Sequence, residues 1–237
     1  CPLQPGEGHA GLQYDSTSVE NMQFDRVHGP EVSQESVFNS VIPVVDSWVD
    51  GYNACVFAYG QTGSGKTFTM LGADGGKKTL DGVIPAAVAY ALQRVEQEVL
   101  ALQVVTANPS EFRVSASYIE LYNEELRDLL CEGVSAVKIR ESADGIVYTE
   151  GACWHTIGTP ADVARLVQMG SAKRATGRTN MNEHSRRSHA VFALRLEHRW
   201  RDDECVASGN PRLFKSKSSL LNMVDLAGSE YAKKTGN

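Results

Sequence analysis

Three features of the 237-residue sequence predict an α/β fold. Strand-like and helix-like segments alternate along its length, the order in which helices come to pack on a sheet. The run Asn53 to Tyr59 is short, apolar and bounded by glycines, as a strand buried on both faces should be, and a helix can open from Thr67. Leu220 to Val224 is a second such run, and it ends on the carboxylate of Asp225.

The elements between follow from periodicity and punctuation. Val88, Leu92, Val95, Val99 and Leu102 recur at helical spacing and mark an amphipathic helix that ends before Asn108-Pro109. Phe112, Val114, Ala116 and Tyr118 alternate as a strand, whereas Leu121 to Leu130 reads as helical, with Tyr122, Leu126 and Leu129 on one side. Val137 to Glu141 and Ile146 to Glu150 flank Asp144-Gly145, a hairpin signal. Thr159-Pro160-Ala161-Asp162 supplies an N-cap, a proline at the first helical position and an acid in the first turn, and this helix is expected to stop near Gly170. Lys173 to His189 is polar and unpatterned, the mark of a long loop, which in a compact domain is either functional or disordered. Phe192, Leu194 and Leu196 form another strand, and Arg201 to Lys217 is a polar excursion before the last one.

Composition narrows the class. With 42% hydrophobic and 22% charged residues, the chain is an ordinary globular sequence rather than a disordered or fibrous one. Apolar runs such as Ala86 to Leu92 fall far short of the roughly 20 residues of a membrane span, and Cys1 to Gly11 is too polar for a secretory signal. No membrane insertion is therefore expected. The formal charge of −6 argues against a nucleic-acid footprint, and the basic stretch Ser171 to Arg201 reads as a solvated face. Cys1, Cys55, Cys131, Cys153 and Cys205 include no C-x-x-C pair, and Cys55 reads as a buried free thiol, which favours a reducing compartment.

Gly60-Gln61-Thr62-Gly63-Ser64-Gly65-Lys66-Thr67 fits G-x-x-x-x-G-K-[ST] in full, directly after a predicted strand and before a predicted helix. Such glycines let the backbone wrap around phosphates, the lysine neutralises β and γ charge, and the threonine hydroxyl can ligate Mg²⁺. A P-loop needs an acid to hold Mg²⁺ through water, and Asp225 at its strand end supplies one. In Asp225-Leu226-Ala227-Gly228, the Gly228 N–H can sense the γ-phosphate.

Phe57 to Met70, then Asn182-Glu183-His184-Ser185-Arg186-Arg187-Ser188-His189, then Asp225-Leu226-Ala227-Gly228-Ser229-Glu230, together resemble the P-loop, switch I and switch II of the kinesin motor domain, in that order. Phe24-Asp25-Arg26-Val27, Ser117 to Glu124 with Asp128-Leu129-Leu130, and Thr179 to Asn182 look similar as well, so the resemblance covers nearly the whole chain. It implies an α/β fold of the three-layer P-loop NTPase kind, with a central, mostly parallel (mixed) β-sheet flanked by helices, and an ATP-driven microtubule motor, a microtubule-stimulated ATPase that uses Mg²⁺, releases ADP and works on cytoplasmic microtubules, with oligomerisation left to segments outside this chain. By matching position, Lys66, Thr67 and the rest of Gly60 to Thr67 would hold phosphate, while Thr67 and Asp225 would hold Mg²⁺. Arg187 and Glu230 would pair to close the switches around the attacking water, with Asn182, Ser185 and Ser188 as further switch I residues. Phoshoryl transfer depends on positioning and charge neutralisation, and such a latch suits it.

The sequence departs from the family at three places. The adenine clamp R-x-R-P of the first strand is reduced here to Pro2, with Phe68 as the aromatic face for the base. Two adjacent serines precede the switch I arginine in the family, and the second is Arg186 here. Residues 1–237 are read as one incomplete motor domain, without the first strand, the relay helix, most of the microtubule-binding region and the neck. What remains of track contact falls near the Lys138 to Glu150 hairpin. Two other readings stand beside the motor: a nucleotide-binding scaffold that no longer cycles, favoured by Arg186, and a GTPase, disfavoured because no N-K-x-D motif follows the P-loop.

Overall fold

The computed structural model describes residues 9–14, 18–73, 81–105, 110–133, 137–143, 145–176, 187–210 and 213–230. In chain order the elements are β1 (His9–Tyr14), β2 (Ser18–Gln23), α1 (Gln34–Asn39), α2 (Ile42–Val49), β3 (Ala54–Ala58), α3 (Lys66–Leu71), α4 (Val83–Val105), β4 (Ser110–Tyr122) and β5 (Glu125–Asp128). They continue with β6 (Lys138–Glu141), β7 (Val147–Glu150), β8 (His155–Ile157), α5 (Pro160–Thr176), β9 (Ser188–Trp200), α6 (Asp203–Ala207) and β10 (Lys215–Asp225).

Six strands form one mixed sheet, β3-β10-β9-β4-β5, with β8 also on the β4 edge. β3 and β10 run parallel, so that Asp225 lies beside Ala58 at the mouth of the glycine loop. The other described pairs of this sheet are antiparallel. Parallel pairing is thus confined to the edge where it positions the P-loop. The two-residue connection from β4 to β5 can only return the chain antiparallel.

Helices α1 to α5 share one hydrophobic core with one face of the sheet: Trp48, Met70, Val88 and Leu166 cluster with Phe192, Leu194, Leu221 and Met223. Among the described residues the opposite side of β3 is open. Cys55 is exposed and Phe57 is 64% exposed, which corrects the expectation of a strand buried on both faces and of a buried thiol. Among the described residues β3 is the edge strand, and its burial comes from the helix side, through Ala54, Val56 and Ala58.

Two further expectations are corrected. Leu121 to Leu130 is a hairpin rather than a helix: β4 runs on to Tyr122, Asn123 and Glu124 take φ of 49° and 65°, and β5 returns with Glu125 beside Tyr122. Two consecutive left-handed residues make the tight turn whose twist matches that of paired strands. The α5 helix does not stop at Gly170 but runs to Thr176. Gly170 is a packing glycine: a Cβ there would lie 2.2 Å from Cδ1 of Tyr118, so helix and strand approach as closely as they do only because it is absent. The segment expected as a loop from Lys173 to His189 therefore opens as helix and closes as strand from Ser188, and 177–186 fall outside the described residues.

The start of α5 is as expected, with Asp162 Oδ2 accepting from the backbone N–H groups of Gly158 and Thr159 at 3.1 and 2.9 Å. The Asp162 N–H in turn donates to the Thr159 hydroxyl oxygen at 3.3 Å, closing a reciprocal cap. The expected hairpin also forms, as β6 and β7 with Lys138 beside Glu150. Among the described residues, no helix is long and apolar enough to cross a membrane.

Candidate functional site

The glycine loop links the end of β3 to the start of α3. Gly65 caps α3 at φ 94°, a left-handed conformation that disfavours side chains, and Thr69 N–H bonds back to its carbonyl at 2.8 Å. Lys66 Nζ donates to the carbonyls of Gly60 and Gln61, both at 2.8 Å, which holds the ammonium over the loop. Ser64 N–H closes the turn on the Gln61 carbonyl at 3.2 Å. A cavity of about 310 Å³ opens here, lined by Thr62, Lys66, Thr67, Phe68, Arg174 and Asp225 among others.

The Thr67 hydroxyl donates to Asp225 Oδ2 at 2.7 Å, joining the two sequence motifs across the β3–β10 edge. Asp225 is buried, and its Oδ1 has no hydrogen-bond partner among the described residues. Behind it stands a residue that sequence reasoning missed. Arg174, buried on α5, reaches Asp225 Oδ2 from Nη1 at 3.4 Å and Glu120 Oε1 from Nε at 3.2 Å, and its Nη2 donates to the Ser188 hydroxyl at 3.1 Å. Burial opposes its charge, but Tyr118, Asp225 and Glu120 outweigh that and raise its pKa. The signal was present: Val163, Leu166, Val167, Gly170 and Arg174 continue one helical stripe, and all are buried.

The segment after β10 is fastened to the glycine loop. Ser229 N–H donates to the Gly60 carbonyl at 3.0 Å, and Ala227 N–H to His189 Nδ1 at 3.2 Å. Glu230 faces Thr62, accepting its backbone N–H at 2.9 Å on Oε2 and its hydroxyl on Oε1. A Cβ on Gly228 would fall 2.4 Å from Glu230 Oε2 and 2.5 Å from Thr62 Oγ1, so this contact requires glycine. Ser188 is fully buried at the start of β9, and Arg187, just before it, is exposed. Phe68 is 52% exposed on the rim. Pro2, Asn182, Ser185 and Arg186 lie outside the described residues.

A family model for the kinesin motor domain matches residues 6–237. The chain belongs to the kinesin motor domain family. Human kinesin-like protein KIF27 is 43% identical over 227 residues, which is 90% of this chain and 15% of that protein. Kinesin-like protein KIN-4A of Gossypium hirsutum is 38% identical over 243 residues, 92% of this chain and 23% of that one. A solved structure of a fast kinesin, described for its ATPase mechanism and interactions with microtubules, matches with a TM-score of 0.80 at 32% identity, over 100% of this chain and 61% of that chain. The chain thus spans less than a quarter of these two curated relatives. The kinesin match takes in every predicted site residue except Pro2.

Proposed function

We propose that this kinesin motor domain binds Mg-ATP between the glycine loop and Asp225 and, in the longer protein, hydrolyses it to drive movement along microtubules. The observation that carries this reading is the Thr67 to Asp225 hydrogen bond at 2.7 Å beside the buried Asp225 Oδ1, which has no partner among the described residues. A hydroxyl and a carboxylate with an oxygen to spare form a hard donor set that suits Mg²⁺. Thr67 would hold the ion directly and Asp225 through water. Bound there, the ion neutralises charge on the β- and γ-phosphate oxygens.

The chain's own groups do the rest. Lys66 leaves the Gly60 and Gln61 carbonyls for the phosphates, and the backbone N–H groups of Gly63 and Gly65, joined by those of Thr62 and Ser64 as they leave Glu230 and the Gln61 carbonyl, wrap around them. Phe68, with Pro2, takes the base by stacking. Arg174 fixes the Asp225 carboxylate, so the acid reaches the site already oriented. The Gly228 N–H bonds the γ-phosphate. Arg187 and Glu230 pair when the switches close, with Asn182, Ser185 and Ser188 positioning phosphate and water. Product ADP leaves from the same cleft, and the β6–β7 hairpin is one contact with the microtubule. Oligomerisation lies with other parts of the protein, which works on the cytoplasmic cytoskeleton.

Titration calorimetry of Lys66→Ala tests the nucleotide site. Binding of Mg-ATP should be lost with the one side-chain cation aimed at the β and γ phosphates, and unchanged affinity would sink the assignment. Phosphate release that microtubules accelerate in the longer protein, with ATP preferred over GTP, supports the motor. Release indifferent to microtubules leaves a nucleotide-binding scaffold.

A further inference from the structure

Asp128, at the end of β5, draws together two segments that the β6–β7 hairpin separates. Its Oδ1 accepts the backbone N–H groups of Leu130 and Cys131 at 2.7 and 3.0 Å, and its Oδ2 accepts that of Cys153 at 2.6 Å. The two cysteines thus reach one carboxylate from opposite feet of the hairpin. Their side chains are neighbours as well: Cys131 is the largest influence on the Cys153 thiol, and the Cys131 S–H points to the Glu132 carbonyl at 3.8 Å. Both are free and half-buried, and neither lines the nucleotide cavity. From α5, Lys173 Nζ donates to the carbonyls of Asp128 and Cys131 at 2.8 and 2.5 Å, fixing this foot to the helix that carries Arg174.

We propose that Cys131 and Cys153 are a reversible dithiol–disulfide site that staples the base of the β6–β7 hairpin. Two neighbouring cysteines whose backbone N–H groups share the two oxygens of one carboxylate are held at a separation that a disulfide, with its S–S bond of about 2.05 Å, can span. The oxidant is a low-molecular-weight disulfide of the glutathione class. A Cys131 thiolate attacks one of its sulfurs and expels a glutathione thiolate, leaving a mixed disulfide on Cys131. Cys153 gives its proton to solvent, attacks the Cys131 sulfur and expels the second glutathione thiolate. Two protein thiols become one disulfide, glutathione disulfide becomes two glutathiones, and two electrons pass from the protein.

The order of attack follows from the local chemistry. The hydrogen bond to Cys131, then burial and the Asp128 charge, push the Cys153 thiol up to about 12. Cys131 therefore attacks first, and ring closure quickens as pH rises. The closed loop encloses β6, β7 and the exposed Ile139, Val147 and Tyr148. This chemistry is independent of the nucleotide and of whatever the hairpin touches.

The full chain, equilibrated across a glutathione–glutathione disulfide series, alkylated and mapped by non-reducing mass spectrometry, tests the site. The expected product is a linked pair of Cys131 and Cys153 peptides, about 2 Da below the sum of the reduced ones, that dithiothreitol reverses. In Cys153→Ser, glutathione should stay trapped on Cys131. Hydrogen exchange of the 138–150 amides should slow about tenfold on oxidation. Separate glutathione adducts on both cysteines of the unsubstituted chain, or neither modified while the exposed Cys55 is fully labelled, would overturn the pair. A link formed with exchange unchanged would overturn the staple.

Discussion

Arg174 and Asp225 meet inside the protein, with Nη1 of the arginine 3.4 Å from the carboxylate oxygen that also accepts the Thr67 hydroxyl. The same guanidinium holds Glu120 and Ser188, so strand ends β4, β9 and β10 are tied to α5 at one point. Removing the cation strands two buried carboxylates in a low-dielectric setting. Arg174→Met should cost about 3–5 kcal/mol in urea denaturation. Arg174→Lys keeps the charge but loses the fork and should fall between the two. Mg²⁺-dependent nucleotide affinity should fall in the same order, and an Arg174→Met chain of unchanged stability would refute the linkage.

The turn at Asn123 and Glu124 gives a test in which the two candidate structures predict opposite signs. In the hairpin Glu124 sits at φ 65°, where a side chain is strained by roughly 1–2 kcal/mol relative to a right-handed conformation. Glu124→Gly should therefore stabilise the chain, by about 1 kcal/mol, because Asn-Gly is the favoured pair for this turn. In a helix the same change would cost about 1 kcal/mol. The midpoint of a denaturation curve decides between them.

That turn also shows where sequence reading stopped. Tyr122, Leu126 and Leu129 satisfy a helical period, and only the reversal at Asn123-Glu124, which carries no glycine, turns the same spacing into paired strands. Gly170 misled in the opposite sense. Glycine after an apolar run reads as a stop, whereas the neighbour that demands it, Tyr118, lies on a strand far away in sequence. The P-loop and Asp225 were legible because phosphate chemistry needs contiguous residues at fixed spacing. Arg174 was legible only to a reading that let the α5 stripe pass through the glycine. The exposure of Cys55 was not legible, since an apolar run specifies what can be buried and not what covers it.

Phe57 follows from the open side of β3. It is 64% exposed beside the exposed Cys55, with Tyr59 73% exposed at the end of the same strand. An apolar patch of this kind on an edge strand favours self-association. Phe57→Ser should change folding stability by no more than about 0.5 kcal/mol, as expected of a surface position. It should also lower light scattering at matched protein concentration. A large loss of stability instead would mean that something covers this face.

Glu230 engages Thr62 with both oxygens. The Thr62 hydroxyl, then the Glu230 and Thr62 backbone N–H groups, hold its carboxyl down at about 2. A lowered pKa means that the group is charged at every pH above that value, so acidification to pH 5 leaves it ionised and able to pair with Arg187. The acid limb of a rate profile above pH 4 should therefore be the same in the unsubstituted protein and in Glu230→Gln, although the variant is slower throughout. In the longer protein, Arg187→Ala and Glu230→Ala should each cut turnover by about 10² to 10⁴, the usual yield of a positioned proton-transfer or water-orienting group. Nucleotide affinity should hold in both, because neither contributes to the phosphate cradle itself. If the two residues act as one latch, either deletion opens it fully, and the double variant should be little slower than each single one. Losses that multiply in the double variant would mean two separate contributions and no latch.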